Sequence, residues 1–238
     1  MMFVGAQFYC APGAMNRAPT IKVIMFITLE GIDGCGKTTQ AEMLVGWLRG
    51  RGHKVLHTRE PGGTEIGRKI RAILLDPENK KITGLTELML YSADRAQHLA
   101  EIIEPALKEG CVVVCDRFSD ATEAYQGHAR GLRLETIEML TRIATAGRKP
   151  DLTLLLDIPA DKALSRAKAR EEDGDGKEAR FEQESLRFHE KVREGYLKIA
   201  AREPGRVKVI DATGSPEEVQ ARILEFLDFR LRGNDGQQ

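Results

Sequence analysis

Residues 31–38 of the chain are Gly31-Ile32-Asp33-Gly34-Cys35-Gly36-Lys37-Thr38. This stretch fits the pattern G-x-x-x-x-G-K-[ST], in which glycines let the backbone curl so that its N–H groups point at phosphate oxygens. The apolar run 23–29 before it is typical of a buried strand, and the apolar residues of 39–49 recur at helical spacing. This order predicts a phosphate-binding loop, with Lys37 on the β- and γ-phosphates and the Thr38 hydroxyl on Mg²⁺. A glycine-rich turn that binds nothing is the alternative.

The composition excludes several function classes. The 238 residues include 36 Lys and Arg and 36 Asp and Glu, so no net positive field is available to hold nucleic acid or an anionic membrane. No apolar run approaches the ~18 residues of a membrane span. The cysteines form no C-x-x-C pair, and no cluster of histidines accompanies Cys10, Cys35, Cys111 and Cys115. We therefore expect a cytoplasmic protein with reduced thiols.

The beginning of the chain does not fit the rest. Residues 1–20 mix Gly, Pro, Ala and isolated aromatic residues without periodicity. A signal peptide would need a charged n-region and a continuous apolar h-region, which this segment lacks. We expect 1–22 to be a disordered or incorrectly annotated extension, with Met15 and Met25 as alternative starts. The domain is then 23–232, and 233–238 is expected to be a disordered tail.

Short apolar strands alternate with helices along the chain. The strands are predicted at 23–29, 54–58, 111–115, 152–156 and 207–210. Thr64 and Ser215 are predicted to be N-caps, each followed by a helix. A long helix is predicted at 85–108, where Pro105 should cause a bend or start a new segment. The other predicted helices are 39–49, 121–127, 134–146, 160–170 and 180–202. This alternation indicates an α/β fold of three layers, a five-stranded parallel sheet with helices on both faces. Ligands are then expected at the carboxyl ends of the strands.

Two strands end in an aspartate that could hold Mg²⁺, Asp116 and Asp157. We favour Asp116 because Arg117 follows it, and a cation beside a metal-binding carboxylate could hold a second phosphate. A local salt bridge or a helix cap is the alternative. Past the second strand, Arg59 is a candidate for a fork on a phosphate of the acceptor, and a solvated turn is the alternative.

Tyr91 and Arg95 lie four residues apart, on one face of the predicted helix 85–108. A ring that stacks on a base, together with an arginine that bonds the base edge, would form a nucleobase pocket. An ordinary core position is the alternative for Tyr91.

A cationic segment near residue 170 has the features of a lid. Gly174 and Gly176 interrupt a charged stretch that is framed by Arg166, Lys168, Arg170 and Arg180. Such a segment, at about 168–180, could close over phosphates. A solvated helix face is the alternative, although Arg166 and Arg170 would repel each other there.

Several motifs together resemble those of the thymidylate kinase family of P-loop nucleoside monophosphate kinases. They occur in the family's order and cover residues 25 to about 232: Leu29-Glu30-Gly31-Ile32-Asp33-Gly34, Arg59-Glu60-Pro61-Gly62-Gly63-Thr64, Ser92-Ala93-Asp94-Arg95, Asp116-Arg117-Phe118-Ser119-Asp120 and Ala124-Tyr125-Gln126-Gly127. The resemblance implies transfer of the γ-phosphate of ATP to dTMP, with Mg²⁺, to give dTDP and ADP for dTTP synthesis. It also implies a cytoplasmic homodimer formed through residues 85–100.

The resemblance assigns roles at both nucleotides. For dTMP it implies that Tyr91 stacks on thymine, that Arg95 bonds the base, that Arg117 binds the phosphate, and that Asp33 lies near the sugar hydroxyl or the metal. The remaining dTMP-binding positions are Arg59, Glu60, Thr122, Tyr125 and Gln126. For ATP it implies the loop from Gly31 to Thr39, and Arg166 near the adenine.

One departure within the loop matters for catalysis. Some family members carry an arginine there, whereas this loop has none between Ile32 and Cys35. The resemblance is then to the bacterial class, which supplies the arginine from the lid; Arg170 is the best match and Arg180 the second.

Two other functions need to be separated from this one. Another small-molecule P-loop kinase, for a deoxynucleoside or for shikimate, shares the loop but does not explain the run 116–127. A GTP-dependent switch usually reads guanine with N-K-x-D, and Asn79-Lys80-Lys81-Ile82 lacks the aspartate.

Overall fold

In the computed structural model, a parallel sheet forms the centre of the protein. The structure describes residues 25–171, 180–181 and 184–233, without the side chains of 170–171 and 228–233. The strands are β1 (Met25–Glu30), β2 (Val55–Arg59), β3 (Val112–Asp116), β4 (Leu152–Asp157) and β5 (Val207–Asp211). Their order is β2-β3-β1-β4-β5, and all neighbouring pairs are parallel. The predicted α/β fold with a five-stranded parallel sheet is confirmed.

The helices connect successive strands. They are α1 (Lys37–Gly50), α2 (Glu65–Leu75), α3 (Gly84–His98), α4 (Glu104–Lys108), α5 (Ser119–Thr122), α6 (Leu134–Thr145), α7 (Ala160–Glu171), α8 (Leu186–Arg202) and α9 (Pro216–Gly233). Two π-helical segments, Leu99–Ile103 and Glu123–Ala129, continue α3 and α5. No helix among the described residues has both the length and the apolar character needed to cross a membrane.

The middle strands lie between two hydrophobic cores because alternate side chains of a strand point to opposite faces. From β1, Ile27 and Leu29 join the larger core, which includes Leu44 and Leu48 of α1. Phe26 joins the smaller core, together with residues of the first π-helical segment and of α4. Strand β1 is therefore fully covered, and the loop that follows it starts from a rigid position.

The predicted helix boundaries hold in most places. The Thr64 hydroxyl accepts a hydrogen bond from the Gly67 N–H and caps α2, and Pro105 lies in the first turn of a new segment, α4. The predicted helix 180–202 is wrong at its start, since α8 begins at Leu186 after the N-cap Ser185. The predicted extension 1–22, the tail from 234 and most of the predicted lid lie outside the described residues.

Candidate active site

The phosphate-binding loop leaves the carboxyl end of β1 and leads into α1, as its sequence predicts. The Lys37 ammonium donates to the carbonyl oxygens of Ile32, at 2.9 Å, and Gly31, at 3.2 Å, so it curls back over its own loop. Gly34 has a φ of +80°, and a Cβ there would collide with the Ala163 carbonyl oxygen of α7. The loop therefore makes a left-handed turn in close contact with α7, and only glycine can occupy position 34 of this turn.

The structure brings the two predicted metal-binding residues together. The Thr38 hydroxyl at the start of α1 donates to Asp116 Oδ2 at 2.8 Å. Asp157, the other candidate, instead accepts a fork from Arg193, at 2.6 and 2.8 Å. A hydroxyl and a carboxylate are oxygen ligands suited to Mg²⁺, which takes few protein ligands and keeps waters and substrate phosphates. Among the described residues, no group of three or more His, Cys, Asp or Glu side chains could hold a metal ion.

Arg117 is the centre of the site's hydrogen bonding. One terminal nitrogen donates to the Gly31 carbonyl, at 3.0 Å, and to the Tyr196 hydroxyl, at 3.2 Å. The other donates to Asp33, at 2.5 Å, and to the Tyr125 hydroxyl, at 3.1 Å. Its backbone φ is +71°, an uncommon value for a residue with a side chain. Arg117 thus joins the ends of β1 and β3 to the two tyrosines.

Asp33 is held as a carboxylate. Burial acts to raise its pKa, but the charges of Arg117 and Lys37 and a hydrogen bond from Tyr125 lower the pKa well below its usual value. The Tyr125 hydroxyl donates to Asp33 Oδ2 at 2.8 Å. A permanent negative charge therefore faces both cations of the site.

Glu30, the last residue of β1, is fully buried behind Arg117. Its carboxylate accepts hydrogen bonds from the Phe118 N–H and from the Tyr196 hydroxyl, both at 2.7 Å. Burial, with the nearby charge of Asp120, raises the pKa of Glu30 to about 7. Neither Glu30 nor Tyr196 is among the residues predicted for the site. The position of Glu30 directly before the loop is a signal that could have identified it, whereas nothing in the sequence points to Tyr196.

The predicted nucleobase residues Tyr91 and Arg95 have different surroundings, and Tyr91 lies in an aromatic cluster. Tyr91 is half-buried, with its ring 6.5 Å from that of Phe181, which also lies 5.5 Å from the Tyr125 ring. Arg95 is almost fully buried and donates from Nη2 to the Phe118 carbonyl, at 3.0 Å, and to the Thr122 hydroxyl, at 2.9 Å. Its Nη1 has no hydrogen-bond partner among the described residues.

The other predicted dTMP residues are divided between surface and interior. Arg59 is exposed and lies beside Asp116 in the sheet register. Glu60 is buried and accepts from Arg95. Gln126 is also buried and donates to Glu87 Oε1 at 2.8 Å. Glu87 is not among the predicted residues, although it precedes Tyr91 by one helical turn.

The predicted ATP and lid arginines lie on different elements. Arg166 on α7 donates to the carbonyl oxygens of Ala212, at 3.2 Å, and Gly214, at 3.1 Å, in the loop after β5. Arg180 donates to the Leu74 carbonyl and to Glu87 Oε2, at 2.7 Å for the latter, so it shares Glu87 with Gln126. Arg170 is the penultimate residue of α7, and its side chain lies outside the described residues.

Comparison with known proteins identifies the family of the chain. The family model described as thymidylate kinase matches residues 29–223. The proteins named thymidylate kinase from Desulfosudis oleivorans and Trichlorobacter lovleyi are 58% identical over 207 residues and 52% identical over 208 residues. These matches cover 86% and 87% of this chain, and 96% and 98% of the relatives. The crystal structure of thymidylate kinase from Ehrlichia chaffeensis has a TM-score of 0.69 at 32% identity, over 85% of this chain and 98% of that one. The chain belongs to the thymidylate kinase family.

Proposed function

We propose that the protein transfers the γ-phosphoryl group of ATP to dTMP, giving dTDP and ADP. Membership of the family supports ATP-dependent phosphorylation of dTMP. The observation that carries the proposal is the position of Arg117 between the phosphate-binding loop and the tyrosines of the aromatic cluster. A phosphate bound by Arg117 would therefore lie next to the loop that holds the donor's phosphates.

The donor is held by the residues from Gly31 to Thr39. The backbone N–H groups of the loop and the N-terminus of α1 bind the phosphate oxygens, and Lys37 leaves the loop carbonyls to reach the β- and γ-phosphates. Thr38 and Asp116 would hold Mg²⁺, which would neutralise charge on the phosphates. Arg166 contributes at the adenine, beside the loop that it already bonds.

The acceptor lies on the other side of Arg117. Tyr91 stacks on the base, Arg95 bonds the base edge, and Thr122 and Gln126 line the pocket with Glu60 behind Arg95. Tyr125, whose hydroxyl bonds Asp33, lies under the sugar, and Arg59 assists at the phosphate. Arg117 exchanges its bond to Asp33 for the dTMP phosphate, and the freed carboxylate is available to the sugar hydroxyl or the metal.

The chemical step is mainly positioning and neutralisation of charge. A phosphate oxygen of dTMP attacks the γ-phosphorus as the bond to the β,γ-bridging oxygen of ATP breaks. Lys37 and Arg170 offset the charge that develops on the transferred group and on the ADP leaving group. The segment at about 168–180 carries Arg170 into place and excludes water, so that ATP is not hydrolysed. Arg180 is the second candidate for this role.

The same proposal includes a homodimer in the cytoplasm. Large apolar side chains on α2, α3 and α6 are about half exposed, which favours an interface between copies: Ile66, Ile73, Leu85, Met89, Met139 and Ile143. Cys35 and Cys115 are free buried thiols, as expected in a reducing compartment.

A panel of nucleotides tests the function directly. With ATP and Mg²⁺, we expect phosphorylation of dTMP far above that of dCMP, dGMP or AMP. Equal rates for all four acceptors would exclude a dTMP kinase. Replacement of ATP by GTP should lower the rate, and a preference for GTP without phosphorylation of any acceptor would instead favour a regulatory switch.

A further inference from the structure

We infer that His98 is a positioning residue for the acceptor base, because it holds the Glu60 carboxylate that in turn orients the Arg95 guanidinium. The inference rests on the proposed role of Arg95 in base binding. It extends that role by assigning a part in base selectivity to His98. This histidine is the last residue of α3 and is connected to Arg95 only through Glu60.

A continuous chain of hydrogen bonds joins the four side chains. The Thr58 hydroxyl lies 2.7 Å from His98 Nε2, and His98 Nδ1 lies 2.9 Å from Glu60 Oε1. The other oxygen, Glu60 Oε2, accepts from Arg95 Nε at 2.9 Å. Since a carboxylate accepts, we assign a proton to Nδ1, which donates to Glu60. His98, Glu60 and Arg95 are each at most 4% exposed, so water does not compete for these bonds.

The contact between Glu60 and Arg95 is a single hydrogen bond between the two charged groups. A carboxylate beside an arginine commonly accepts two parallel N–H bonds. Here Glu60 Oε1 faces His98 and Oε2 accepts the Nε proton of Arg95, so the carboxylate is shared between the two side chains. Nη2 donates to Phe118 and Thr122, and Nη1 has no partner among the described residues. A buried, unpartnered guanidinium nitrogen is costly and points to an acceptor on a ligand.

The imidazole ring is held in one orientation. A Cβ at Gly63 would lie 2.5 Å from both Cδ2 and Nε2 of His98, so the backbone of the loop 59–64 packs directly on the ring edge. If the Nδ1 proton is removed, Glu60 Oε1 becomes a buried oxygen without a donor. Glu60 is then free to rotate and to fork Arg95 through Nε and Nη2, which takes Nη2 from Phe118 and Thr122 and turns the guanidinium that carries Nη1.

Two substitutions test the roles of the two ring nitrogens of His98 separately. The amide nitrogen of His98→Asn can replace Nδ1 and donate to Glu60, whereas His98→Gln extends towards the Nε2 position and does not supply the same donor. In His98→Gln we expect the KM for dTMP to rise about tenfold and the preference for dTMP over dCMP to fall about tenfold, with the KM for ATP and kcat within about twofold. In His98→Asn all these values should stay within about threefold of the parent.

A matched control is His57→Gln, at the neighbouring position of β2, which should leave all kinetic constants unchanged. Thr58→Val removes the far end of the chain and should raise the KM for dTMP by about threefold, so the inference stays testable if a His98 variant does not fold. Two results would overturn the inference. One is an equal effect of His98→Asn and His98→Gln on the kinetic constants. The other is a fall in kcat that is the same for dTMP and dCMP, with an unchanged KM.

A measurement without substrate distinguishes this inference from the proposed function. The Arg95 Nε–H, bonded to a buried carboxylate, should give a slowly exchanging signal in a ¹⁵N–¹H spectrum of the protein. We expect this signal to shift and to exchange faster in His98→Gln and to persist in His98→Asn. A signal that does not change in His98→Gln refutes the positioning role. A changed signal in a protein that does not phosphorylate dTMP refutes the proposed function and supports the positioning of Arg95 by His98.

Discussion

Replacement of Glu30 by glutamine should change how the stability of the protein depends on pH. Glu30 is buried beside Asp120, Arg117 and Tyr196, and its pKa is raised from 4.5 to about 7. A raised pKa means that the folded protein binds the proton more tightly than the unfolded chain does. The stabilisation is therefore fully present below pH 4.5 and is lost as the pH rises through 7.

The size of the effect follows from these two pKa values. With 4.5 in the unfolded chain and about 7 in the folded protein, the contribution of this group to the free energy of unfolding falls by about 2 to 3 kcal/mol between pH 5 and pH 8. Glutamine has no titratable proton, so Glu30→Gln should gain about 2 to 3 kcal/mol relative to the parent over the same interval. Any constant packing cost cancels, because the prediction concerns the change with pH.

The assay is urea unfolding at pH 5, 6, 7 and 8 for both proteins, followed by circular dichroism. Glu101→Gln is a matched control, because Glu101 is an exposed carboxylate on a helix; its difference from the parent should stay within about 0.5 kcal/mol across the range. If the difference between Glu30→Gln and the parent is equally flat, Glu30 is not a buried acid with a raised pKa.

Other substitutions test the proposed roles. Arg117→Ala should raise the KM for dTMP by about 10- to 100-fold, since charged hydrogen bonds contribute ~1.5–3 kcal/mol; unaltered dTMP binding in calorimetry would contradict its placement. Arg170→Ala should lower kcat by ~10²–10³ with little change in dTMP affinity, and an unchanged kcat would assign the role to Arg180 or elsewhere. Thr38→Ala should raise the Mg²⁺ concentration for half-maximal rate by about tenfold, and an unchanged Mg²⁺ titration would remove Thr38 from the metal site. Met89→Glu should yield a monomer in analytical ultracentrifugation, whereas an unchanged dimer would exclude α3 from the interface.

Local pattern and the geometry of parallel sheets are enough to predict part of the site. The residues that follow β1 and β3 have to meet at one edge of the sheet, so Thr38, Asp116 and Arg117 can be grouped from the sequence alone. Partners contributed by distant elements cannot be found this way. Tyr196 bonds Glu30 across 166 residues of sequence, and only the packing of α8 on the sheet brings them together. The predicted start of α8 is too early for a similar reason, because the Arg180 backbone N–H donates to the distant Leu75 carbonyl, at 3.4 Å, rather than within a helix.

The packing of the phosphate-binding loop leaves no room for an arginine at position 34. Gly34 turns with a positive φ directly against the Ala163 carbonyl, so an arginine at this position would require α7 to move away from the loop. Yet α7 is the helix whose last turn includes Arg170, seven residues beyond Ala163. The contact that excludes a side chain at position 34 also packs α7 directly against the loop. The helix that leads to the proposed lid arginine therefore runs from beside the phosphate-binding loop.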